Sequence, residues 1–385
     1  MLLCSVCITL TICWSEAEAQ GVRSAILKDA VPTRVEQIGI EQGLSQGMIN
    51  GMAEDATGNL WIATKDGLNR YDGTGFKVFR NDPGNAASLS DNFVNCILID
   101  SKNRLWAGTQ SHGLNLFDPL TESFAHFNSN NSGLSEHFIK ALKEDSEGGI
   151  LILTSESSGY FRLTVQENSR SDENIKVEIE PAVNAIPALA KANGNQLWSN
   201  NLMFGSDGAL WYYNNKVVCE IRNPFSKDTY LIHQHKHGPN LMANVIGGNV
   251  FALRSDRTNP YILDSLNILK CYDEDAAAFI PILKLPEAES FIYMNFIDSD
   301  NRLWLITEHG KMAQVNLVNK TYTELKLNWY GFSNDSRLSH TGKFVEDANG
   351  NIWTGTGGSG LLKFSNAAAR FKHVPTDTRL FSERM

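Results

Sequence analysis

The sequence predicts an all-β fold, a seven-bladed β-propeller of four-stranded antiparallel blades, and three observations support this prediction. The first is a repeated pattern in which an Asp stands six residues before a Trp or, in one copy, before a Leu. The second is a spacing of 45 residues between Trp61, Trp106 and Leu151, which belong to successive copies. The third is a Leu-Ser pair that leads into the copies and keeps the spacing of 45 residues in the first three of them. These pairs begin at Leu44, Leu89, Leu134 and Leu338.

Each repeat contains four short β-rich runs separated by turn residues, with no helical periodicity between them. An Asp-x-x-Gly or Asp-x-x-Asn turn follows the first run. The Asp side chain can accept hydrogen bonds from backbone amides two residues on, while Gly or Asn tolerates positive φ. Four antiparallel strands in about 45 residues are typical of a propeller blade. The runs of the first repeat are residues 48–54, 60–64, 68–71 and 76–79.

A Trp or its replacement marks each of seven expected blades. The fifth copy is the most divergent, and we assign Phe251 to the Trp position of a second strand over residues 250–254. Because the Trp residues repeat at one structural position, we expect them to pack between adjacent blades rather than to stack on a ligand. The marked positions are 61, 106, 151, 211, 251, 304 and 353. The residues assigned to the repeat scaffold are Asp55, Trp61, Gly67, Asp100, Trp106, Gly113, Asp298, Trp304, Asp347 and Trp353.

The ends of the chain divide into several expected segments. Residues 1–19 are expected to be a secretory signal peptide, because an apolar run too short to span a bilayer precedes Ala17-Glu-Ala19. Residues 20–33 are then a leader and residues 34–367 the propeller. Residues 34–40 resemble a fourth strand without a blade, which could pair with blade 7 and close the ring. Residues 369–374 compete for that place, so residues 368–385 are either a closing strand or the start of an unfinished second element.

Composition and charge argue against nucleic-acid binding and against a membrane-spanning segment. A formal net charge of −9 argues against nucleic acid. No stretch after the signal peptide approaches 18 apolar residues, so no membrane span is expected in this chain. Cys96, Cys219 and Cys271 lie in expected strands at unrelated spacings, which favours buried thiols and leaves one disulfide open.

The quoted motifs resemble a known family. The Gly-Leu-Ser lead-in at residue 43, the Asp-x-x-Gly-Asn-Leu-Trp-Ile-x-Thr core at Asp55 and the Gly-Leu-Asn-Arg-Tyr-Asp close at Gly67 are similar to two-component regulator propeller repeats. The resemblance extends over roughly residues 34–375 and is weakest in blades 4 and 5. It implies the periplasmic sensor region of a Bacteroides-type hybrid sensor histidine kinase. There, two propellers precede an immunoglobulin-like domain, a membrane helix and a kinase.

This chain departs from the family because it stops where a second propeller would begin and has no kinase motif. We therefore expect a non-catalytic, ligand-sensing domain that is exported to the periplasm and has no catalytic residues and no cofactor. The resemblance implies that the intact protein detects breakdown products of complex glycans. The expected partners are an oligosaccharide or another small periplasmic ligand, a downstream propeller and kinase, and a second copy in a homodimer.

Candidate ligand residues follow from the two ends of the ring. We call the end with the first-to-second and third-to-fourth turns the turn face, which carries the Asp turns. The other end, the loop face, carries the second-to-third loops and the links between blades. Its sequence varies between repeats, as expected for ligand specificity on a rigid scaffold. The candidates for binding a carbohydrate are Trp329, Tyr330, His309, His112 and Arg257.

Two rival functions remain open. His233, His235 and His237 alternate, so on a strand they would share one face and could hold a metal, although a fourth strand with solvated imidazoles explains them as well. A metal there would favour a stand-alone propeller enzyme, such as a periplasmic lyase. The second rival is a protein-interaction scaffold.

Overall fold

The computed structural model describes 14 segments of the chain, and the elements with defined bounds in them are strands and one 3₁₀ turn, Ile40–Gln42. Ala182, at the end of one segment, is helical. No helix in these segments is long and apolar enough to cross a membrane. The described residues are 26–33, 35–154, 160–166, 176–182, 186, 202–214, 217–226, 231–235, 251–252, 259–263, 267–286, 291–307, 311–327 and 344–365.

The strands form seven sheets, which confirms the all-β propeller. Two strands precede the first blade: β1 (Ile26–Thr33) and β2 (Val35–Ile38). Blade 1 contains β3 (Ile49–Glu54), β4 (Leu60–Thr64), β5 (Gly67–Tyr71) and β6 (Phe76–Phe79). Blade 2 contains β7 (Val94–Ile99), β8 (Leu105–Thr109), β9 (Leu114–Asp118) and β10 (Ser123–Phe127). Blade 3 contains β11 (Ala141–Glu144), β12 (Ile150–Leu153), β13 (Tyr160–Gln166) and β14 (Lys176–Pro181).

The second half of the ring is built in the same way. Blade 4 contains β15 (Leu202–Phe204), β16 (Leu210–Asn214), β17 (Val217–Arg222) and β18 (Leu231–His235). Blade 5 contains β19 (Phe251–Ala252), β20 (Tyr261–Leu263), β21 (Ile268–Asp273) and β22 (Ala278–Lys284). Blade 6 contains β23 (Phe291–Ile297), β24 (Arg302–Thr307), β25 (Met312–Asn316) and β26 (Thr321–Leu327). Blade 7 contains β27 (Phe344–Glu346), β28 (Ile352–Gly355) and β29 (Leu361–Phe364), with β2 as its fourth strand.

The hydrophobic core lies between neighbouring blades rather than at the centre of one sheet. Every residue of β4, β8, β12 and β28 is buried, because these second strands have a blade on each side. Trp61 of blade 1 packs in one cluster with Leu105 and Phe117 of blade 2. A similar cluster joins blades 7 and 1 through Trp353 and Ile62. Such sheet-on-sheet packing explains why the second strands are continuous apolar runs in the sequence.

The N-terminal strand β2 closes blade 7. It pairs antiparallel with β29, with Val35 opposite Phe364 and Ile38 opposite Leu361. A Cβ added to Gly360 would lie 2.3 Å from the carbonyl oxygen of Ile38, just as one added to Gly67 would lie 2.5 Å from that of Phe79 in blade 1. β2 therefore occupies the place that β6 has in blade 1. Residues 369–374, the other candidate, lie outside the described residues.

The strand β1 differs from the leader expected over residues 20–33. It pairs in parallel with β26 and makes blade 6 five-stranded, with Ile26 opposite Thr321 and Thr33 opposite Leu327. The pairing satisfies the backbone groups of an outer edge that would otherwise be open. Residues 1–19, expected to be a signal peptide, lie outside the described residues.

Blade 5 corrects the assignment of Phe251. This residue lies on the first strand β19, opposite Ile262 of β20, and not on the second strand. Tyr261 of β20 lies opposite Cys271, and the next residue of the third strand, Tyr272, packs edge-on against Trp211 of blade 4. Because this copy lacks both the Asp and the Trp, the sequence offered no marker of strand order, and the assignment was shifted by one strand.

Candidate functional site

The repeated Asp and Trp are joined by a hydrogen bond on the turn face. In blade 1 the indole Nε1 of Trp61 donates to Oδ2 of Asp55 at 2.7 Å. The same bond joins Trp106 to Asp100 at 2.9 Å. It recurs at 2.8 Å in blade 6, between Trp304 and Asp298, and at 2.9 Å in blade 7, between Trp353 and Asp347. The six-residue spacing therefore separates each turn Asp from the Trp whose indole N–H donates a hydrogen bond to that carboxylate.

The other carboxylate oxygen of each Asp organises the turn. Oδ1 of Asp55 accepts the amides of Thr57 at 2.9 Å and Asn59 at 3.0 Å. Burial opposes ionisation of Asp55, but the hydrogen bonds from Thr57, Trp61 and Asn59 outweigh it and lower its pKa. The residue three positions after the Asp has positive φ, +84° at Gly58 and +59° at Asn103. These geometries account for the Asp-x-x-Gly and Asp-x-x-Asn patterns as scaffold.

The Trp rings bridge adjacent blades. The ring of Trp61 meets Phe117 of blade 2 edge-on, with centroids 4.9 Å apart. Trp304 meets Phe364 of blade 7 at 5.3 Å in the same way. At the closing junction Trp353 meets Tyr71 of blade 1 at 5.9 Å. Their role in the structure is inter-blade packing, with edge-to-face geometry.

Blade 3 replaces the Trp by a different donor. Leu151 stands at the Trp position, and Nε of Arg162, which lies opposite it on β13, donates to Oδ2 of Asp145 at 2.7 Å. The guanidinium carbon of Arg162 also lies 4.7 Å from the ring centre of Phe225 in blade 4. Arg162 thus supplies both the missing hydrogen bond and the missing inter-blade contact. Its position on another strand is why the sequence pattern did not single it out.

The Leu-Ser marker has a partner that sequence reasoning missed. The backbone amide of Ser45 donates to Oδ1 of Asn69 at 3.0 Å, and Nδ2 of Asn69 donates to the Ser45 hydroxyl at 2.9 Å. Ser90 and Asn115 repeat this pair in blade 2, at 3.0 and 2.8 Å. Both Asn residues are fully buried. The signal was present as a Leu-Asn dipeptide in the third strand, 24 or 25 residues after the Ser.

The second-to-third loops are tied to the links between blades. The amide of Gly67 donates to the carbonyl of Asn92 at 2.7 Å, and that of Gly113 donates to the carbonyl of His137 at 2.8 Å. A Cβ on Gly113 would lie 2.3 Å from the carbonyl oxygen of Phe127. The loop glycines therefore allow close backbone approach. They hold the loop face in a fixed shape from which other side chains project.

His112 is the one carbohydrate-binding candidate within the described residues. Its side chain is 62% exposed, and Nδ1 lies 3.4 Å from Oδ2 of Asp91 in the link before blade 2. The same carboxylate oxygen accepts the amide of Ser111 at 3.0 Å. Asp91 therefore holds the loop by a hydrogen bond and lies beside the imidazole. Trp329, Tyr330, His309 and Arg257 lie outside the described residues.

Further polar and aromatic groups surround this loop. Nζ of Lys65 stands 5.2 Å from the ring centre of Phe93, whose carbonyl accepts the amide of Gln110 at 2.9 Å. Asp66 pairs with Nη2 of Arg80 at 2.9 Å and raises the pKa of that guanidinium. The described loop face of blades 1 and 2 thus presents hydrogen-bond donors, acceptors and an aromatic ring on hydrogen-bonded loops. Such groups can bind a neutral or charged polar ligand.

The structure places only part of the histidine cluster. His233 and His235 lie on β18, opposite Glu220 and Val218 of β17. β18 is the outer strand of blade 4, farthest from the central strand β15. His237 lies outside the described residues, and no group of three metal-ligating side chains meets within the described segments. Among the described residues, Cys96 and Cys219 are buried and Cys271 is half-buried, and none of the three forms a disulfide with another.

Sequence comparison identifies the repeats. The profile of the two-component regulator propeller matches residues 43–66 and 88–111, which run from the lead-in to the second-to-third loop of blades 1 and 2. A histidine kinase from Formosa agariphila is 46% identical over 48 residues, which are 12% of this chain and 4% of that protein. The chain therefore shares one repeat-sized segment with this much longer relative.

Solved structures share the fold over most of the chain. The extracellular domain of a hybrid two-component system from B. thetaiotaomicron aligns with a TM-score of 0.60 and 22% identity, over 87% of this chain and 42% of that one. A second such domain from the same organism gives 0.58 and 17%, over 87% and 43%. A virginiamycin B lyase from Staphylococcus aureus gives 0.55 and 14%, over 86% and 99%. The chain spans less than half the length of the two-component domains. It is a β-propeller in which two segments match the two-component regulator propeller, and its fold is similar to that of the extracellular domains of two-component systems and of the lyase.

Proposed function

We propose that this propeller is a ligand-sensing, non-catalytic domain of a hybrid histidine kinase, and that its ligand is an oligosaccharide. The observation that carries the proposal is that the repeated residues hold the scaffold together, whereas the residues of the loop face vary between blades. The repeated Asp, Trp, Leu-Ser and Asn residues are engaged in hydrogen bonds and packing. What differs between blades 1 and 2 is the loop-face sequence, Lys65-Asp66 against Gln110-Ser111-His112.

The loop face supports a polar ligand. His112 is exposed and lies beside Asp91, and Phe93 offers a ring beside Lys65. Sugars are bound by planar polar groups together with aromatic faces, and this part of the surface supplies both. Trp329 and Tyr330, which the sequence places in a link on the same face, remain proposed contributors.

The setting of the domain is part of the proposal. The similarity to extracellular domains of two-component systems supports export to the periplasm, with the signal peptide over residues 1–19. A second propeller, a membrane helix and a kinase would lie in the rest of the protein. The signal would cross the membrane through a change in how the propellers pack, and this packing would include the contact between two copies in a homodimer.

The test is binding of purified oligosaccharides by titration calorimetry. We expect at least one member of a panel of plant and host glycan fragments to bind the chain, and His112→Ala to weaken that binding about 5- to 10-fold, the effect of one lost hydrogen bond. Trp329→Ala should weaken it further, because it removes a stacking surface. Leu120→Ala is the matched control: Leu120 is 93% exposed on the turn face, so the affinity should not change.

Two results would contradict this proposal. One is that no oligosaccharide of the panel binds. The other is that His112→Ala and Trp329→Ala bind as tightly as the unmodified chain.

A stand-alone lyase is the second candidate, favoured by one observation. The virginiamycin B lyase is covered over 99% of its length, so a single propeller of this size can be a complete enzyme. Incubation with quinupristin, which occurs bound in a solved form of that lyase, tests this candidate. Metal-dependent turnover that is lost in His235→Ala would establish it and would refute the non-catalytic proposal. Without turnover, the lyase candidate is rejected for this substrate class.

A further inference from the structure

A chain of hydrogen bonds links the turns of neighbouring blades on the turn face. The residue before the signature Asp of one blade is a Glu whose carboxylate accepts the turn amide of the preceding blade. Glu144 of blade 3 accepts the amide of Ser101 at 2.8 Å. Glu346 of blade 7 accepts the amide of Ser299 at 2.7 Å. Glu54 of blade 1 accepts the amide of Ala348 of blade 7 at 2.7 Å, so this last bond spans the closure of the ring.

The three junctions differ in how the carboxylates are compensated. At the junction of blades 2 and 3, Nε of Arg104 donates to Asp100 at 2.6 Å. At the junction of blades 6 and 7, Nε of Arg302 donates to Asp298 at 2.7 Å. At the closing junction Asn351 holds this sequence position, and its neutral amide donates to Asp347 at 2.8 Å. The closing junction thus has an amide where the other two have a guanidinium.

Glu54 accepts the amide of the residue that follows Asp347, and Asp55 follows Glu54 in the chain. None of these three carboxylates has a paired cation in the described part of the chain. The nearby cations are engaged elsewhere: Lys363 stands 4.9 Å from the ring centre of Trp353, and Arg70 pairs with Glu122. Like charges this close disfavour one another when all are ionised.

We propose that the junction between blades 7 and 1 is a pH-sensitive junction of the ring, which loosens when Glu54 ionises and tightens when Glu54 takes up a proton. A protonated carboxyl keeps an oxygen that accepts the Ala348 amide, while the repulsion from Asp55 and Asp347 disappears. Protonation makes Glu54 a weaker acceptor for the Ala348 amide, but the relief of burying a charge and of the repulsion outweighs this loss, so the neutral form holds the two blades together more firmly.

The electrostatics of Glu54 agree in direction. Burial, followed by the charges of Asp347 and Asp55, raises its pKa above the ordinary 4.5, although the Ala348 bond opposes the change. An acid with a raised pKa binds its proton more tightly in the folded state. The gain in stability is therefore present at low pH and is lost as the pH rises through the folded-state pKa.

The experiment measures hydrogen exchange of the Ala348 amide in the whole chain, corrected for intrinsic exchange. At about pH 8 we expect protection in Glu54→Gln to be about 3- to 10-fold higher than in the unmodified chain, and at about pH 4 we expect the two to be equal. Asn351→Arg, which copies Arg302, should also raise protection at about pH 8. Glu346→Gln is the matched control, because Asp298 there already has Arg302, and it should leave Ala348 unchanged.

The outcomes separate cleanly. Equal protection of the Ala348 amide in all variants at about pH 8 would overturn the proposal. A loss of that protection in Glu54→Gln at every pH would also overturn it, because Glu54 would then act only as a structural hydrogen-bond acceptor. If Glu54→Gln does not fold, Asn351→Arg decides alone, and an unchanged pH profile in that variant is the refuting result.

Discussion

Replacing Asp100 by Ala tests the turn-face scaffold most directly. Its carboxylate accepts the indole of Trp106 at 2.9 Å, the amides of Lys102 at 3.1 Å and Arg104 at 2.9 Å, and Nε of Arg104 at 2.6 Å. Trp106 is fully buried, so its N–H would lose its partner without access to water, at about 1–3 kcal/mol. Loss of the turn amides resembles loss of a helix cap and costs about 1 kcal/mol. The guanidinium is partly exposed and adds little. The free energy of unfolding should fall by about 2–4 kcal/mol.

Urea unfolding with an unchanged m-value measures this effect, and a double-mutant cycle locates it. Trp106→Phe removes the donor, so Asp100→Ala should cost about 1–2 kcal/mol less in that background. Asp118→Ala, in an exposed turn of the same blade, is the control and should cost clearly less. If the two substitutions at 100 and 106 are additive within about 0.5 kcal/mol, the hydrogen bond is not what couples them.

Two further predictions concern the backbone. Gly113→Ala should lower the free energy of unfolding by about 2–4 kcal/mol, because Gly113 has φ +80° and a Cβ there would lie 2.3 Å from the Phe127 carbonyl oxygen. The control is Gly148→Ala, at φ +76° with nothing within 4 Å of the added Cβ, which should cost only about 1 kcal/mol. Equal losses in the two variants would refute the close-approach argument. A chain that starts at Gly39 lacks β1 and β2, so it should expose the edge of β29 and self-associate in analytical centrifugation, whereas one that starts at Val35 keeps β2 and should associate less. Equal association of the two truncated chains would show that β2 does not protect that edge.

The period of 45 residues and the Asp-to-Trp spacing were enough to predict the fold, because both are set by local geometry. A turn carboxylate reaches an indole six residues later in every complete copy, so the pattern survives in the sequence. Interactions between distant parts of the chain left weaker traces. The exchange of Trp for Arg162 in blade 3 moves the donor to another strand, and Asn69 meets Ser45 only after the blade has folded.

The errors have the same origin. Blade 5 has neither marker residue, so hydrophobic runs alone could not determine strand order around Phe251. The strand β1 was missed because pairing with β26 depends on residues nearly 300 positions away. On the loop face, the sequence predicted that the loops vary, and His112 lies on such a loop. The contact of Asp91 with this loop joins the loop to a link between blades, and no local sequence pattern encodes it.

The pairing of Val35 with Phe364 also has a consequence for biosynthesis. The strand that completes the last blade is among the first parts of the chain to leave the ribosome, yet its partner is made 329 residues later. At about 5–20 residues per second, β2 waits roughly 15–65 seconds for β29. During that interval the strand must avoid other open edges, including those of the blades already formed. Translation speed and chaperone binding to the nascent N-terminal segment should therefore affect the yield of closed rings more than they affect the folding of any single blade.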